Sequence, residues 1–189
     1  MTKLPLFAVL ALLLSCGQTV TKPTEKPKAS APHSLEFVLS SPAFQDNSRI
    51  PDRHTGTGEN VSPALTWSNF PAQTQSFALI MDDPDAPSGT FTHWLIYNLG
   101  ADYGGLPGLA EGVPPSETVL GTARQLKNDA GRFGYSGPMP PPGKLHHYHF
   151  TLYALDQMLS ATLTGKQQLQ AAMNGHILDQ TRLTGTYQR

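Results

Sequence analysis

The sequence predicts a mostly β domain with one or two peripheral helices near the C-terminus. Gly and Pro number 17 each among the 189 residues, a composition that favours short strands joined by turns over a helical bundle. Short apolar or alternating runs recur along the chain, and residues 166–174 form the one segment with the periodicity of an amphipathic helix. At this length, and with 39% hydrophobic residues, we expect one domain with a sizeable core.

The start of the chain is predicted to lie outside that domain. A lysine precedes an apolar run at residues 4–14, which is typical of a signal peptide and too short to span a bilayer. The run ends Leu-Leu-Ser-Cys-Gly at residues 13–17, which resembles the lipobox of bacterial lipoproteins, where cleavage precedes an acylated cysteine. We therefore predict a signal peptide at residues 1–15 and lipidation of Cys16. The alternative is an ordinary secretory signal with an incidental cysteine.

Residues 16–33 are predicted to be a flexible tether, because they are rich in Thr, Lys, Pro and Ser and have no large apolar residue after Val20. The folded domain is then predicted at residues 34–189. Cys16 is the only cysteine of the chain, so this domain has neither a disulfide nor a thiol nucleophile. Gly17, in place of Asp, favours lipid anchoring to the outer membrane over the inner one in an enteric-like Gram-negative host, with the exported domain facing the periplasm.

The elements of the domain are predicted from apolar patterns and the turns between them. The predicted helix has Leu169 and Met173 on one face. Thr164 is predicted as its N-cap and Gly175 as its stop. A second, shorter helical turn is predicted at residues 177–182. Six runs have the pattern of strands, namely residues 35–39, 63–68, 77–82, 92–99, 147–154 and 184–187.

The most informative stretch is Asp83-Pro84-Asp85-Ala86-Pro87, with His93 shortly after it. Proline lacks a backbone donor and fixes φ, so the apolar strand at residues 77–82 should end there. Two carboxylates therefore lie beside an imidazole at the end of a strand pair, where binding sites are often built. These residues predict a small polar pocket.

A second source of imidazole is the segment that leads into the strand at residues 147–154. Successive side chains of a strand point to opposite faces. His146 and Tyr148 should therefore share one face, while His147 and His149 should share the other. Of the three histidines, only His146 is expected to join the pocket.

Several ordered motifs resemble those of the phosphatidylethanolamine-binding proteins, and in particular the bacterial branch described as Raf-kinase-inhibitor-like. The resemblance covers about residues 35–189. Six motifs in order are more specific than any one of them. They are Asn-Val-Ser-Pro-Ala-Leu-Thr-Trp at 60–67, Asp-Pro-Asp-Ala-Pro at 83–87, His-Trp at 93–94, Gly-Tyr-Ser-Gly-Pro at 134–138, Leu-His-His-Tyr at 145–148, and Leu-Thr-Gly-Thr-Tyr at 183–187.

The resemblance implies a two-sheet β-sandwich with a large central sheet and a smaller flanking one. It also implies a shallow anion pocket. Carried over by position, Asp83, Asp85, His93 and His146 fall on the pocket residues of the family, and Pro87 and Tyr148 on its walls.

Two positions depart from the family pattern. Met139 stands where the bacterial branch commonly has Cys, so the pocket rim has an apolar side chain where a thiol is usual. His147 stands where the family usually has Arg, and a histidine replaces that charge only at acidic pH.

We expect one of the two aspartates to accept a hydrogen bond from His93 or His146. This would fix the tautomer and raise the pKa of that imidazole, making it a cationic donor to an anion. The second carboxylate could then face the ammonium of a zwitterionic headgroup such as phosphoethanolamine. On this hypothesis the protein is a membrane-tethered binding protein for a small anion or phospholipid headgroup, and anion binding weakens as the pH rises through the histidine pKa.

Other functions fit the sequence less well. An inhibitory protein that docks on a kinase or protease is the main alternative, as for some relatives. A metal site of mixed His and Asp ligands and a hydrolase are minor ones, because no chelate spacing and no activated nucleophile is evident. A net charge of −1 gives no indication of a nucleic-acid partner. We therefore expect a protein that is not an enzyme and needs no metal or cofactor.

Overall fold

A computed structural model describes residues 35–100 and 108–189. The predicted signal peptide, Cys16 and the tether lie outside the described residues, so these remain predictions. Within the described part, no helix is long and apolar enough to cross a membrane.

The described residues form ten strands, one α-helix and a short 3-10 helix at Asp52–His54. In chain order the elements are β1 (Val38–Ser40), β2 (Ser48–Arg49), β3 (Leu65–Ser68), β4 (Ser76–Asp83), β5 (Phe91–Gly100), β6 (Gly108–Leu109), β7 (Thr118–Val119), β8 (Ala123–Gln125), β9 (His146–Leu155), α1 (Lys166–Met173) and β10 (Ile177–Tyr187).

The strands form two sheets, as the resemblance implies. The large sheet has the order β2-β10-β9-β4-β5-β8-β7, and the small one has the order β1-β3-β6. Neighbouring strands are antiparallel except for β2 and β10, which are parallel. The predicted class, a mostly β two-sheet sandwich with a peripheral helix near the C-terminus, is confirmed.

Both faces of the large sheet are covered. On one face Leu79, Trp94 and Phe150 belong to a core cluster that also contains side chains of the small sheet. On the other face a second cluster lies beneath α1, whose Leu169 and Met173 are buried. This explains why β4 reads as a continuous apolar run: a strand buried on both faces shows no polar alternation.

The helix begins and ends close to the predicted residues, but its N-cap differs. The N-cap is Gly165, and no side chain caps the helix. Thr164 instead donates from its N–H and its hydroxyl to Oε1 of Gln168, at 2.9 and 3.1 Å. Gly175 has φ +82° just after the C-cap, a left-handed conformation that suits glycine at the end of a helix.

The second predicted helical turn, at residues 177–182, is wrong. These residues form the first half of β10 and pair with β9, with a shift of register between Ile177 and Asp179. Because the start of β10 is irregular, its residues lack the regular alternation of polar and apolar side chains that predicts a strand. The pairing of β10 with β9 is a long-range contact, which a local sequence pattern cannot predict. The first predicted strand is also displaced, since β1 begins at Val38 and not at Leu35.

Candidate functional site

A pocket of about 380 Å³ opens at one end of the large sheet. The end of β4 and the starts of its two neighbours, β5 and β9, meet there. Asp83 is the last residue of β4, His93 the third of β5 and His146 the first of β9. The residues that line the pocket are Asp83, Ala86, Pro87, Phe91, His93, Ala130, Arg132, Ser136, Gly137, Met139, Pro140, Pro141, His146 and Tyr148.

Four of these side chains form what we call the pocket floor: Asp83, His93, His146 and Tyr148. They are 3%, 6%, 3% and 0% exposed. All four are predicted site residues, and the structure brings them together. The rim is more exposed and mostly apolar, with Pro87 and Met139 both accessible to solvent. Met139, at 59% exposed, lies at the rim as its sequence position predicts.

A carboxylate–imidazole hydrogen bond organises the floor. His146 Nδ1 donates to Asp83 Oδ2 at 2.8 Å. The other oxygen, Oδ1, accepts the backbone N–H of Asp85 at 2.8 Å. A carboxylate that accepts from Nδ1 fixes the tautomer of an imidazole and orients its ring. Nε2 is therefore the nitrogen through which His146 can meet a ligand.

The tautomer and the ring orientation of His93 are also fixed, in this case by a backbone carbonyl. Its Nδ1 donates to the carbonyl oxygen of Ser136 at 2.6 Å, and the N–H of Ser136 donates back to the carbonyl of His93 at 3.0 Å. Because a carbonyl can only accept, Nδ1 carries the proton and Nε2 is again the free nitrogen.

The pKa of His93 is set mainly by burial. Burial lowers this pKa below its ordinary value, and the hydrogen bond to Ser136 and the negative charge of Asp83 oppose the effect only in part. His93 is therefore neutral in the free protein at pH 7. A raised pKa is expected only of an imidazole that donates to an aspartate, and His93 donates to the carbonyl of Ser136 instead. The physical reason is that desolvation of a cation outweighs a carboxylate that does not contact it directly.

Tyr148 leaves a polar atom without a partner in the floor. Its hydroxyl is buried, and no described residue forms a hydrogen bond with it. Burial, and next the charge of Asp83, raise its pKa far above the ordinary value, so the group is a neutral phenol. The ring lies edge-on to His93, with centroids 5.2 Å apart, and stacks on His146 at 6.5 Å. A buried hydroxyl without a partner indicates a place that a ligand or a water completes.

Asp85 does not line the pocket, which corrects its predicted role. Its Oδ2 accepts from the N–H and from Nδ1 of His147, at 3.0 and 2.7 Å, and its Oδ1 accepts from Lys144 Nζ at 3.0 Å. A carboxylate engaged by three donors is not free to face the ammonium of a headgroup. Asp85 instead joins the loop after β4 to the start of β9, and so holds two walls of the pocket together.

These contacts predict an acid-sensitive loss of stability in Asp85→Ala. The pKa of Asp85 is held well below its ordinary value, chiefly by the hydrogen bond from His147 and then by that from Lys144. A carboxyl whose pKa is lowered by folding stabilises the folded state at pH values above its pKa in the unfolded chain, which is near 4. This contribution is lost as the pH falls through the pKa of the carboxyl in the folded state. We expect the variant to cost about 2 kcal/mol at pH 5 and clearly less at pH 3, measured by urea unfolding.

The matched control for this prediction is Glu36→Ala. Glu36 is exposed and forms no ion pair among the described residues. The Glu36→Ala variant should have the same free energy of unfolding as the wild type at both pH values. An equal cost of Asp85→Ala at pH 5 and pH 3 would contradict the role assigned to the carboxylate.

Arg132 is the most important lining residue that the sequence analysis missed. It is exposed and is the only Lys or Arg among the lining residues. It stands in a turn between β8 and β9, and a single Arg in a turn carries no pattern that marks a site. Phe91, Pro140 and Pro141 were also missed as wall residues, although each lies next to a predicted motif.

The remaining histidines of β9 lie away from the floor. His147 contacts Asp85, and His149 Nδ1 lies 3.1 Å from the hydroxyl of Thr184. Across residues 35–100 and 108–189, no group of three or more His, Cys, Asp or Glu side chains is placed to hold a metal ion.

Comparisons with known proteins point to one family. The family model described as "Phosphatidylethanolamine-binding protein" matches residues 40–188. The chain is 45% identical over 152 residues to a UPF0098 protein of Methanothermobacter thermautotrophicus, covering 80% of this chain and 98% of that one. It is 36% identical over 182 residues to LppC of Mycobacterium tuberculosis, named as a candidate lipoprotein, covering 91% of this chain and 86% of that one.

Solved structures agree with these relatives. A crystal structure of YbcL from E. coli, described as a new member of the mammalian PEBP family, matches with a TM-score of 0.74 at 30% identity. A homologue of the same family from Chlamydia trachomatis, CT736, matches with a TM-score of 0.73 at 38% identity. Each covers 82% of this chain, and the match covers 99% of each solved chain.

Proposed function

Because the chain belongs to the phosphatidylethanolamine-binding protein family, we propose that it is a membrane-tethered binding protein whose pocket floor holds a small anion. The phosphate group, free or in a headgroup such as phosphoethanolamine, is the chemistry that we expect the floor to take. One observation carries the proposal. Two buried imidazoles each have Nδ1 engaged, at 2.8 and 2.6 Å, beside a buried hydroxyl without a partner.

The floor offers a ligand three directed polar atoms. These are Nε2 of His93, Nε2 of His146 and the hydroxyl of Tyr148. A phosphate group presents several oxygens to a site of this kind, and a phenol can donate to one of them. Each partner that the ligand supplies also removes the cost of a buried polar atom left without one.

The negative charge of Asp83 opposes the binding of an anion, and proton uptake by the floor offsets this repulsion. A neutral imidazole with its proton on Nδ1 has an acceptor at Nε2, which repels an anion. When Nε2 takes up a proton it becomes a charged donor, and in His146 the carboxylate of Asp83 compensates the new charge. Anion binding is therefore coupled to protonation, and it strengthens as the pH falls.

The size of the pocket is compatible with more than the anion alone. Its volume of about 380 Å³ is roughly a dozen times the share of one water in the liquid, about 30 Å³. A phosphate on the floor leaves space toward the apolar rim for an organic substituent. We therefore include headgroups with free phosphate in the proposal.

We further propose that the chain is exported and held on a membrane by acylated Cys16, with the outer membrane preferred over the inner one. The similarity to LppC supports this, because the match covers 91% of this chain and LppC is named as a candidate lipoprotein. We also propose that the site binds without catalysis. No described residue activates the hydroxyl of Ser136, the one lining hydroxyl on an aliphatic side chain.

Calorimetric titration tests the proposal. The full-length chain in a non-ionic detergent would be titrated at pH 6 with sulfate, inorganic phosphate and phosphoethanolamine. Saturable binding that His93→Asn weakens about tenfold or more would support it, because asparagine keeps the donor to Ser136 but lacks Nε2. The control is His176→Asn, since His176 Nδ1 pairs with a carboxylate of Asp156 at 2.9 Å and does not line the pocket.

Absence of heat with all three anions in the wild-type chain would overturn the proposal. The alternative, an inhibitory protein that docks on a kinase or protease, would then take precedence. A partner bound through the pocket loops should still bind after the change at His93, because the imidazole is buried.

A further inference from the structure

The geometry points to Arg132 as the residue that determines the charge specificity of the pocket. This inference rests on the proposed function, since it concerns the ligand of the same site. Arg132 lines the pocket, and its guanidinium forms no ion pair with a carboxylate of the described residues. We propose that Arg132 supplies the fixed positive charge that an anion meets in this pocket, independently of proton uptake by the floor.

A rigid turn presents Arg132 to the pocket. We call residues 128–134 the Arg132 turn. Its first residue, Asn128, is 4% exposed, and its Oδ1 accepts the N–H groups of Ala130 and Arg132 at 3.0 and 3.2 Å. The N–H of Asn128 donates to the carbonyl of Arg132 at 2.9 Å. One buried amide therefore fixes the backbone that carries the guanidinium.

The same turn is joined to the strand that carries His93. Nδ2 of Asn128 donates to the carbonyl of His93 at 3.3 Å and to that of Gly134 at 3.1 Å. One residue earlier, the N–H of Thr92 donates to Asp129 Oδ2 at 2.7 Å, and the N–H of Asp129 donates to the carbonyl of Thr92 at 3.0 Å. These hydrogen bonds therefore hold the Arg132 turn and the start of β5, which carries His93, in a fixed arrangement.

The charges around the site leave this role to Arg132. Asp83 contributes a negative charge to the floor, and the neutral phenol of Tyr148 and the neutral imidazole of His93 supply none to offset it. Two other cations lie near the pocket walls without lining the pocket. Lys144 Nζ is engaged by Asp85 at 3.0 Å, and Arg189 Nη1 donates to the carbonyl of Pro140 at 3.4 Å. The carboxylate of Asp129, in the same turn, is occupied by the N–H of Thr92. Before any proton is taken up, Arg132 is therefore the one Lys or Arg of the lining that can meet an anion.

Sulfate is the probe that separates Arg132 from the histidines, because it remains a dianion between pH 6 and pH 8. The full-length chain in non-ionic detergent would be titrated with sulfate at both pH values, as wild type and as Arg132→Gln. We expect the variant to bind about tenfold more weakly at pH 8, an effect of the size of one lost hydrogen bond to a charged group. At pH 6 we expect a smaller loss, because proton uptake with the anion is easier at the lower pH and supplies part of the positive charge.

Two further variants make the result specific. Arg132→Lys keeps the charge and should retain most of the pH 8 affinity. Arg124→Gln is the control, because Arg124 also stands near the surface but only donates to the hydroxyl of Thr118, at 2.9 Å, away from the pocket. The Arg124→Gln variant should bind sulfate with the same affinity as the wild type.

The outcomes distinguish this inference from the proposed function. If the wild type binds sulfate at pH 8 and Arg132→Gln binds it equally well, the assignment of Arg132 is overturned while the anion site stands. An equal loss in Arg132→Gln and Arg124→Gln also overturns it, since the effect would then be one of net charge. If the wild type binds no anion at either pH, the proposed function fails, and this inference fails with it.

Discussion

Replacing His146 by asparagine should lower the affinity for sulfate at pH 6 by about thirtyfold or more and change the fold little. The amide of asparagine can take the place of Nδ1 and donate to Asp83, a contact of 2.8 Å in the structure. It has no counterpart of Nε2, so the charged donor to the anion is lost, together with the proton that compensates Asp83. Titration calorimetry gives the affinity, and urea unfolding gives the free energy of unfolding, which we expect to fall by about 1 kcal/mol at most.

Replacing the same residue by alanine separates structure from binding. Asp83 is 3% exposed, and without the imidazole its carboxylate is buried with only the N–H of Asp85 as a donor. A buried charge left without its compensating partner costs about 3–5 kcal/mol. His176→Ala is the matched control, because His176 and Asp156 form the same kind of pair at 38% and 43% side-chain exposure. The His176→Ala change should lower the free energy of unfolding by less than about 1 kcal/mol. A His146→Asn variant that binds sulfate as tightly as the wild type would contradict the role of Nε2.

Replacing Tyr148 by phenylalanine should make the free protein more stable and weaken the binding of the ligand. The hydroxyl of Tyr148 is fully buried and has no hydrogen-bond partner among the described residues. Leaving such a group unsatisfied costs about 1–3 kcal/mol, and phenylalanine removes that cost without changing the ring. The variant should gain up to this amount in urea unfolding, while its affinity for sulfate should fall several-fold because one donor is gone.

Tyr135→Phe is the control of opposite sign. The hydroxyl of Tyr135 is also buried, but it donates to the carbonyl of His54 at 2.6 Å. Its removal leaves that carbonyl without this donor, so we expect a loss of about 1–3 kcal/mol. If Tyr148→Phe destabilises the chain as Tyr135→Phe does, the hydroxyl of Tyr148 has a structural partner and is not held for a ligand.

Most of the fold could be predicted from the sequence because its long strands carry strong patterns. The runs at 77–82, 92–99 and 147–154 lie within β4, β5 and β9, the centre of the large sheet. The short strands β2, β6, β7 and β8 were missed, since two or three residues show no period. The first half of β10 was mistaken for helix because its pairing with β9 is long-range. The division into two sheets came from the family resemblance and not from any pattern.

The candidate site was predicted in part, for a definite physical reason. Residues on the long strands, such as His146 and Tyr148, could be placed because alternation fixes which face a side chain occupies. Asp85 lies in the loop after β4, where no period applies, and its three donors belong to Lys144, just before β9, and to His147 in β9. Arg132 stands in a turn that a buried asparagine organises. Contacts of this kind depend on tertiary structure, so the spacing of residues along the sequence does not predict them.

The central claim is that the floor binds an anion by taking up protons. The most direct test is to measure, at pH 7, the heat of sulfate binding to the full-length chain in two buffers with different enthalpies of ionisation. His93 is neutral at that pH because burial lowers its pKa, and sulfate itself takes up no proton. We expect the heat to differ between the two buffers by an amount that corresponds to the uptake of about one proton or more per sulfate bound. Equal heats in the two buffers, with sulfate bound, would contradict it.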